Sequence, residues 1–519
     1  MISRVLSQYP QVQKRALSSS SEGSRATWPG WETIIGIEVH SQIKSRHKLF
    51  SSSLNSVDEP PNTRVSLFDA AFPGTLPKLN RRCVDLAIRT ALGLRASVQR
   101  RSAFDRKHYF YHDLPSGYQI TQSYSPIAKG GVLLLDKANR TVRIKQVQLE
   151  QDTGKTTFSD ALKSTQVDLN RAGAGLMEIV SEPDMRTPEE AAAYVRTLQA
   201  LLRSVGASDG NMEQGSLRCD VNVSVNKVGE PWGTRCEIKN LNSIKSVQAA
   251  IACEADRQIS LLQKGSAVSQ ETRGFDESRV MTFKLRSKED APEYRYMPDP
   301  NLPPLILTEK DIERVRQSMP ELPHETSARL ERGYGLVPRD IQVLMSVGSG
   351  TNVGYDGDVG PGNAVQYFEA VAKEREPKAV VNWITQELVA QLGRRNENFD
   401  QLPVSTQQLG DLIDLVQAGS ITGTSAKTVV RHMFNTQTPR SALISELVDT
   451  LGLRAEAVSD HALKGFCEQA IQELPLEADL VRKGNDKVLM KIVGKVMKLS
   501  KGTADAKMVR ATLQGMLSS

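Results

Sequence analysis

The residue pattern changes character at Pro303-Pro304. From Trp31 to about Leu305, short β-type runs are broken every few positions by Gly, Pro, Asn and Asp. Residues 33–39, 143–149 and 217–225 alternate or run apolar over strand lengths. Helical stretches interrupt them. Thr187-Pro-Glu-Glu190 is a helix start, with a capping residue, proline in the first position and two acids in the first turn. Apolar spacing then continues through Leu202. Beyond the two prolines the pattern is helical to Ser519, and no internal repeat is visible. The expected fold is an α+β domain on a largely antiparallel sheet (29–305), an all-α helical domain (306–435) and a small helical tail (436–519). Residues 365–519 can also be read as one unit. The Gly-rich loop 347–363 separates two helical blocks and lacks the Lys-Ser/Thr of a phosphate loop, so it reads as a flexible linker.

A chain of 519 residues is long enough for about three such units. No window approaches the roughly 18 uninterrupted apolar residues of a membrane span. The net charge of +6 is too modest to argue for a nucleic-acid partner by itself. Cys83, Cys219, Cys236, Cys253 and Cys467 are odd in number and have no C-x-x-C spacing. They read as buried apolar residues in a reducing compartment, not as disulfides or a zinc ribbon. Residues 1–28 hold Arg4, Lys14, Arg15 and Arg25 against one acid, Glu22, and are rich in serine. They read as an organelle transit peptide, which predicts import into mitochondria.

Five stretches carry groups capable of chemistry. Alternation along the first strand puts Glu38 and His40 on one face, where they could share a metal ion, exchange a proton, or simply be a surface pair. Gln148-Leu-Glu-Gln-Asp-Thr-Gly-Lys155 offers Glu150 and Asp152 on one face, then a glycine turn and Lys155. Glu178 lies inside an apolar strand, where a carboxylate is costly unless paired. Met212-Glu-Gln-Gly-Ser-Leu-Arg-Cys-Asp220 adds Glu213, Arg218 and Asp220. Hard oxygen donors from several strands suit Mg²⁺. Gly154-Lys155-Thr156 fails as a Walker A loop, since that motif's first glycine would fall at Leu149. Asp105-Arg-Lys-His-Tyr-Phe-Tyr111 packs cations and aromatics together. It is either a solvated charge run beside core aromatics or a site where Arg106 and Lys107 meet phosphates while rings stack on a base.

Taken in order, these strings resemble the family of B subunits of the glutamyl-tRNA amidotransferase. They are Ile35-Gly-Ile-Glu-Val-His40, Phe72-Pro-Gly-Thr-Leu-Pro77, the 105–111 run, Asp168-Leu-Asn-Arg-Ala-Gly173 and Glu178-Ile-Val-Ser-Glu-Pro-Asp184, followed by Glu213-Gln-Gly-Ser-Leu-Arg-Cys-Asp-Val-Asn222, Glu237-Ile-Lys-Asn-Leu-Asn-Ser243, Gln270-Glu-Thr-Arg-Gly-Phe-Asp276 and Tyr294-Arg-Tyr296. The resemblance implies that 29–305 is a catalytic domain using ATP and Mg²⁺ to phosphorylate the side-chain carboxylate of tRNA(Gln) mischarged with glutamate. An amidase A subunit would supply ammonia through a channel, and a small third subunit would brace the pair, in the mitochondrial matrix. It implies metal ligation by Glu38, His40 and Glu178. Catalytic roles fall to Arg106, Lys107, Glu150 and Gln151, and nucleotide contacts to Arg106, Lys107 and Tyr109. Two departures matter. Gln151 stands where many members carry a second Glu, and the stretch from Phe50 to Phe72 has no cysteine where many members bind zinc, so no zinc is expected. His112 and Ser116 also replace a more usual proline and lysine.

The tail has its own signal. From Val481 to Ser519 nine Lys and Arg face two acids, a surplus of +7. Lys487, Lys491, Lys495 and Lys498 recur at helical spacing opposite Leu489, Ile492, Val493 and Val496. With Lys501 they are expected to hold tRNA phosphates. The competing readings are a tRNA-binding scaffold without chemistry and a free-standing ATP-dependent ligase; a scaffold has no need of Glu38, His40 and Glu178 converging.

Overall fold

The computed structural model describes residues 28–55, 59–135, 140–287, 293–347, 353–358, 364–436, 438–454, 460–482, 488–500, 504 and 506–517. Residues 1–27 of the expected transit peptide, most of the 347–363 loop, Lys487 and Lys501 lie outside the described residues. Two compact units result: Met1–Ile43, His47–Gln199 and Asn211–Arg314 form one, and Lys44–Arg46, Ala200–Gly210 and Val315–Ser519 the other.

The first unit is built on a ten-stranded sheet. Its main strands are β1 (Trp31–Gln42), β4 (Arg140–Gln151), β5 (Gly175–Ser181), β6 (Leu217–Lys227), β7 (Cys236–Leu241), β8 (Glu271–Asp276) and β9 (Met281–Ser287). Spatially they run β9-β8-β7-β6-β1-β5-β4 and end in short strands beyond β4. The strands β2 (Asp105–His108) and β3 (Tyr118–Thr121) belong to a separate three-stranded sheet with Met297–Pro298. All main-sheet pairings are antiparallel except β7 with β8, which the helix Ile244–Gln263 connects. A parallel pair needs such a crossover.

Strict alternation sorts this sheet into two unlike faces. One carries Ile37, Val39, Leu149, Met177, Ile179, Val221 and Val223, all buried. The helix Arg81–Gly93 packs over β4 and Ile244–Gln263 over β6 on that side. Each such aliphatic side chain contributes about 1.5–3 kcal/mol on burial. A change such as Val39→Asp would put an unpaired charge into this layer and break it. The other face carries Glu38, His40, Gln148, Glu150, Glu178, Arg218 and Asp220. The small sheet docks against it at β4, where Gln119 Nε2 donates to the Gln151 carbonyl at 2.8 Å. That contact brings β2 to the polar face.

The second unit is helical. One core runs from Leu330 to Val448 in sequence, a second from Leu463 to Leu517. The helix Ile444–Thr450, which a boundary at 435/436 assigns to the tail, buries Ile444 and Val448 in the first of these cores. The capped start at Thr187 is present: the helix is Pro188–Ser204, and Thr187 Oγ1 accepts from the Glu190 amide at 3.1 Å. All five cysteines are free, four of them buried. Among the described residues no helix is long and apolar enough to cross a membrane.

Candidate active site

His40 on β1 lies directly opposite Glu178 on β5, and Glu150 on β4 is opposite Leu176, two residues before Glu178. Cross-strand and diagonal neighbours on one face are within side-chain reach. One ligand-capable atom from each of His40, Glu150 and Glu178 falls within 4.8 Å of the other two. His40 Nε2 is 3.9 Å from Glu178 Oε2, which also accepts from Gln148 Nε2 at 2.5 Å. Glu38, two residues before His40, accepts from Asn222 Nδ2 at 3.1 Å. The expected ligand set was Glu38, His40 and Glu178. The structure gathers Glu150 with the latter two and sets Glu38 beside them.

The electrostatics follow from crowding acids in a dry place. Burial raises the Glu178 carboxyl well above the usual range, and the carboxylates of Glu150 and Glu38 push it further. Lys107 opposes that rise. Burial disfavours its ammonium, yet Glu150 leads the anions that more than compensate, so Lys107 is held charged more firmly than a free lysine. Glu150 Oε2 is buried and accepts no hydrogen bond. Two adjoining carboxyls, an imidazole and an orphaned buried oxygen make a donor set that fits a hard divalent cation such as Mg²⁺.

Lys107 reaches this cluster from β2, its ammonium 4.8 Å from the Tyr294 ring centroid and 5.8 Å from that of Tyr109. Tyr109 donates its hydroxyl to Gln119 Oε1 at 3.1 Å. Arg106 does not join Lys107. Neighbours on a strand point to opposite sides, and Arg106 pairs with buried Asp299 at 2.7 Å while stacking on Tyr118. The expectation that both cations face phosphates is corrected for Arg106. Gln151, next to Glu150 and so on the opposite side, lines a cavity of about 220 Å³ with Phe68, Phe72, Asp113, Tyr118 and Asp152.

Asp152, one residue past the strand end at Gln151, stays on the Glu150 side, where it meets Arg218 at 3.1 Å and Arg171 at 3.6 Å. Lys155 is exposed in a separate hairpin (Lys155–Ser159 with Ser164–Asp168), and Glu213 is exposed in a turn. Asp220 faces Glu38 across the strands and is held by Lys239 at 2.7 Å. Lys239 also binds Glu237 at 2.9 Å. Sequence reasoning passed over Lys239; the Glu237-Ile-Lys alternation was the available signal. In the tail, the helix Leu489–Leu499 buries Leu489, Ile492, Val493 and Val496. Its outward lysines are partly neutralised: Lys491 pairs with Glu477 at 2.5 Å and Lys495 with Glu473, while Lys498 is exposed.

The α+β domain thus has one apolar, helix-covered face and one face rich in carboxylates, and a helical half follows it. Residues 33–313 match the family described as the GatB/GatE catalytic domain, and residues 366–517 match the GatB domain. The chain is 54% identical over 510 residues to the B subunit of the mitochondrial glutamyl-tRNA(Gln) amidotransferase of Laccaria bicolor, covering 94% of this chain and 93% of the relative. It is 44% identical to the B subunit of the mitochondrial glutamyl-tRNA(Gln) amidotransferase of Cryptococcus neoformans, covering 94% of each chain. It is also 44% identical to the B subunit of the aspartyl/glutamyl-tRNA(Asn/Gln) amidotransferase of Granulibacter bethesdensis, covering 96% of this chain and all of the relative. The chain belongs to the family of B subunits of glutamyl-tRNA(Gln) amidotransferase.

Proposed function

We propose that the His40–Glu150–Glu178 cluster and Lys107 activate the side-chain carboxylate of tRNA-bound glutamate by ATP-dependent phosphorylation, and that ammonia then displaces the phosphate. Family membership makes this chain the B subunit of a glutamine-dependent amidotransferase, a carbon–nitrogen ligase of translation. Hydroxide is a poor leaving group from a carboxylate, and phosphate is a good one. A carboxylate oxygen attacks the γ-phosphorus and ADP departs; ammonia then attacks the acyl carbon, and phosphate leaves with the oxygen that first attacked. Catalysis of the first step is mostly positioning and charge neutralisation. Lys107, half-buried and held charged by the nearby acids, supplies a fixed cation. A magnesium ion held by His40, Glu150 and Glu178, with Glu38 beside them, would neutralise phosphate charge. Tyr109 orders Lys107 through ring contact. Gln151 borders the cavity from which ammonia would approach. Arg106 acts through Asp299 to fix β2.

The observation that carries this reading is the half-buried acid–imidazole group beside one lysine. An amidase A subunit and a small third subunit complete the enzyme in the mitochondrial matrix, and Lys487, Lys491, Lys495, Lys498 and Lys501 grip tRNA phosphates. The test is transamidation of Glu-tRNA by the assembled enzyme. With ammonium replacing glutamine, amidation should persist without amidase turnover and still consume one ATP per glutamine formed. Amidation without ATP would overturn the reading.

A further inference from the structure

Lys107 sits at the middle of an unbroken arc of tyrosines. Tyr111 contacts Tyr109, Tyr109 contacts Tyr294, Tyr294 contacts Tyr296, and Tyr296 contacts Tyr124, all near edge-to-face with centroids 5.9, 5.9, 6.0 and 6.2 Å apart. Two adjacent rings of the five, Tyr109 and the central Tyr294, contact the ammonium that lies in the field of Glu150 and Glu178. The arc leaves the protein at both ends, where Tyr111 is 67% and Tyr124 62% exposed. At the first end it does not stop at one ring. Phe110 is 86% exposed, and His112 beyond Tyr111 is exposed as well. Three consecutive rings therefore stand in solvent at the end of the strand that delivers Lys107.

Exposed aromatics cost apolar hydration, and folding alone gives no reason to line them up at this edge. Single-stranded nucleic acid is bound by such an arrangement, bases stacking on successive rings. The reaction requires it to arrive at this place. Glutamate reaches the cluster only as an ester on the terminal adenosine of a tRNA, so the unpaired 3′ nucleotides must run from solvent to Lys107. A lone ring such as Tyr124 suits one base, whereas a run of rings suits a run of bases. We propose that Phe110, Tyr111 and His112 form a stacking platform for the unpaired 3′-terminal nucleotides of the charged tRNA, in line with the Tyr109–Tyr294 pair that flanks the catalytic lysine. This rests on the proposed phosphorylation function and adds the residues that hold the RNA end.

The test uses the assembled enzyme with a Phe110→Ala/Tyr111→Ala double variant and a Phe110→Leu/Tyr111→Leu variant that keeps apolar bulk. Both should raise KM for Glu-tRNA by roughly five- to a hundredfold, as expected for lost base stacking. The value of kcat at saturating tRNA, and KM for ATP and ammonium, should stay within about twofold, since no ring named touches the reacting atoms. Binding of tRNA lacking its last three nucleotides should be weaker than that of full-length tRNA for the wild type and equal to it for the Ala variant. An unchanged KM for Glu-tRNA, a rise in KM for ATP alone, or loss of the partner subunits on purification would each overturn the platform. A wild-type enzyme that amidates without ATP would instead overturn the phosphorylation chemistry, so the two failures are distinguishable.

Discussion

Lys107 and Lys495 are both lysines influenced by glutamates, and they illustrate two uses of the same chemistry. Lys107 is half-buried, lies in the field of Glu150 and Glu178 at once, and is one cation for two crowded acids. Lys495, on the helix Leu489–Leu499, meets Glu473 at the surface, as Lys491 meets Glu477 one turn away. Surface pairs of this kind are screened and contribute little, and a polyanion can displace them. The half-buried set is only partly screened by water, so its charge imbalance draws a proton or a cation. Removing one member should therefore be severe in the sheet domain and mild in the tail.

The largest expected effect is Glu178→Gln. It keeps the shape and the Gln148 contact region but removes an anion from the cluster. Amidation of Glu-tRNA in the assembled enzyme should fall by about a hundredfold or more, with tRNA affinity unchanged; equal activity would show the cluster to be structural. Lys107→Met should come next, with kcat lowered by about ten- to a hundredfold whether ammonia is supplied by glutamine or as ammonium. A loss seen only with glutamine would move Lys107 from phosphoryl chemistry to ammonia delivery.

The pH dependence follows from Glu178. Its folded value is raised, so its contribution to stability is complete below the unfolded carboxylate range and is lost as pH rises through the raised value. Above that point Mg²⁺ can take the proton's place. Thermal melts should show Mg²⁺ raising Tm by a few degrees, on the order expected for a saturating ligand, at alkaline pH and hardly at acidic pH. Glu178→Gln should lose the difference; a Mg²⁺ effect independent of pH would break the link. Smallest is the tail. Changing Lys491, Lys495 and Lys498 to Ala should raise KM for Glu-tRNA a few-fold and lower the salt slope of binding by about 0.7–0.9 per lost phosphate contact. An unaltered slope would assign the stripe to protein contacts.

The same comparison explains what could be read from the chain alone. Alternation made the two faces of the sheet legible, and with them Glu38, His40 and Glu178, because those strands are long and their period is strict. The helix Leu489–Leu499 was legible for the same reason at a period of 3.6. What escaped depends on contacts between distant segments. Arg106 finds Asp299, 193 positions away, and so turns from the site. Glu150 meets Glu178 only because β4 pairs with β5 in a register that its own string does not encode. Asp152 keeps to the Glu150 side but is taken up by Arg218 and Arg171, partners that its own string does not show. Lys491 and Lys495 find acids on preceding helices, which spacing within one helix cannot reveal.

The fate of a single oxygen tests most directly whether this cluster phosphorylates the glutamyl carboxylate. With both side-chain carboxylate oxygens of tRNA-bound glutamate labelled with ¹⁸O, the wild-type assembled enzyme should release one labelled oxygen into inorganic phosphate for each glutamine formed. Glu178→Gln should release essentially none. Phosphate free of label alongside normal glutamine formation would mean that the carboxylate is never phosphorylated, and would contradict the role proposed for His40, Glu150, Glu178 and Lys107.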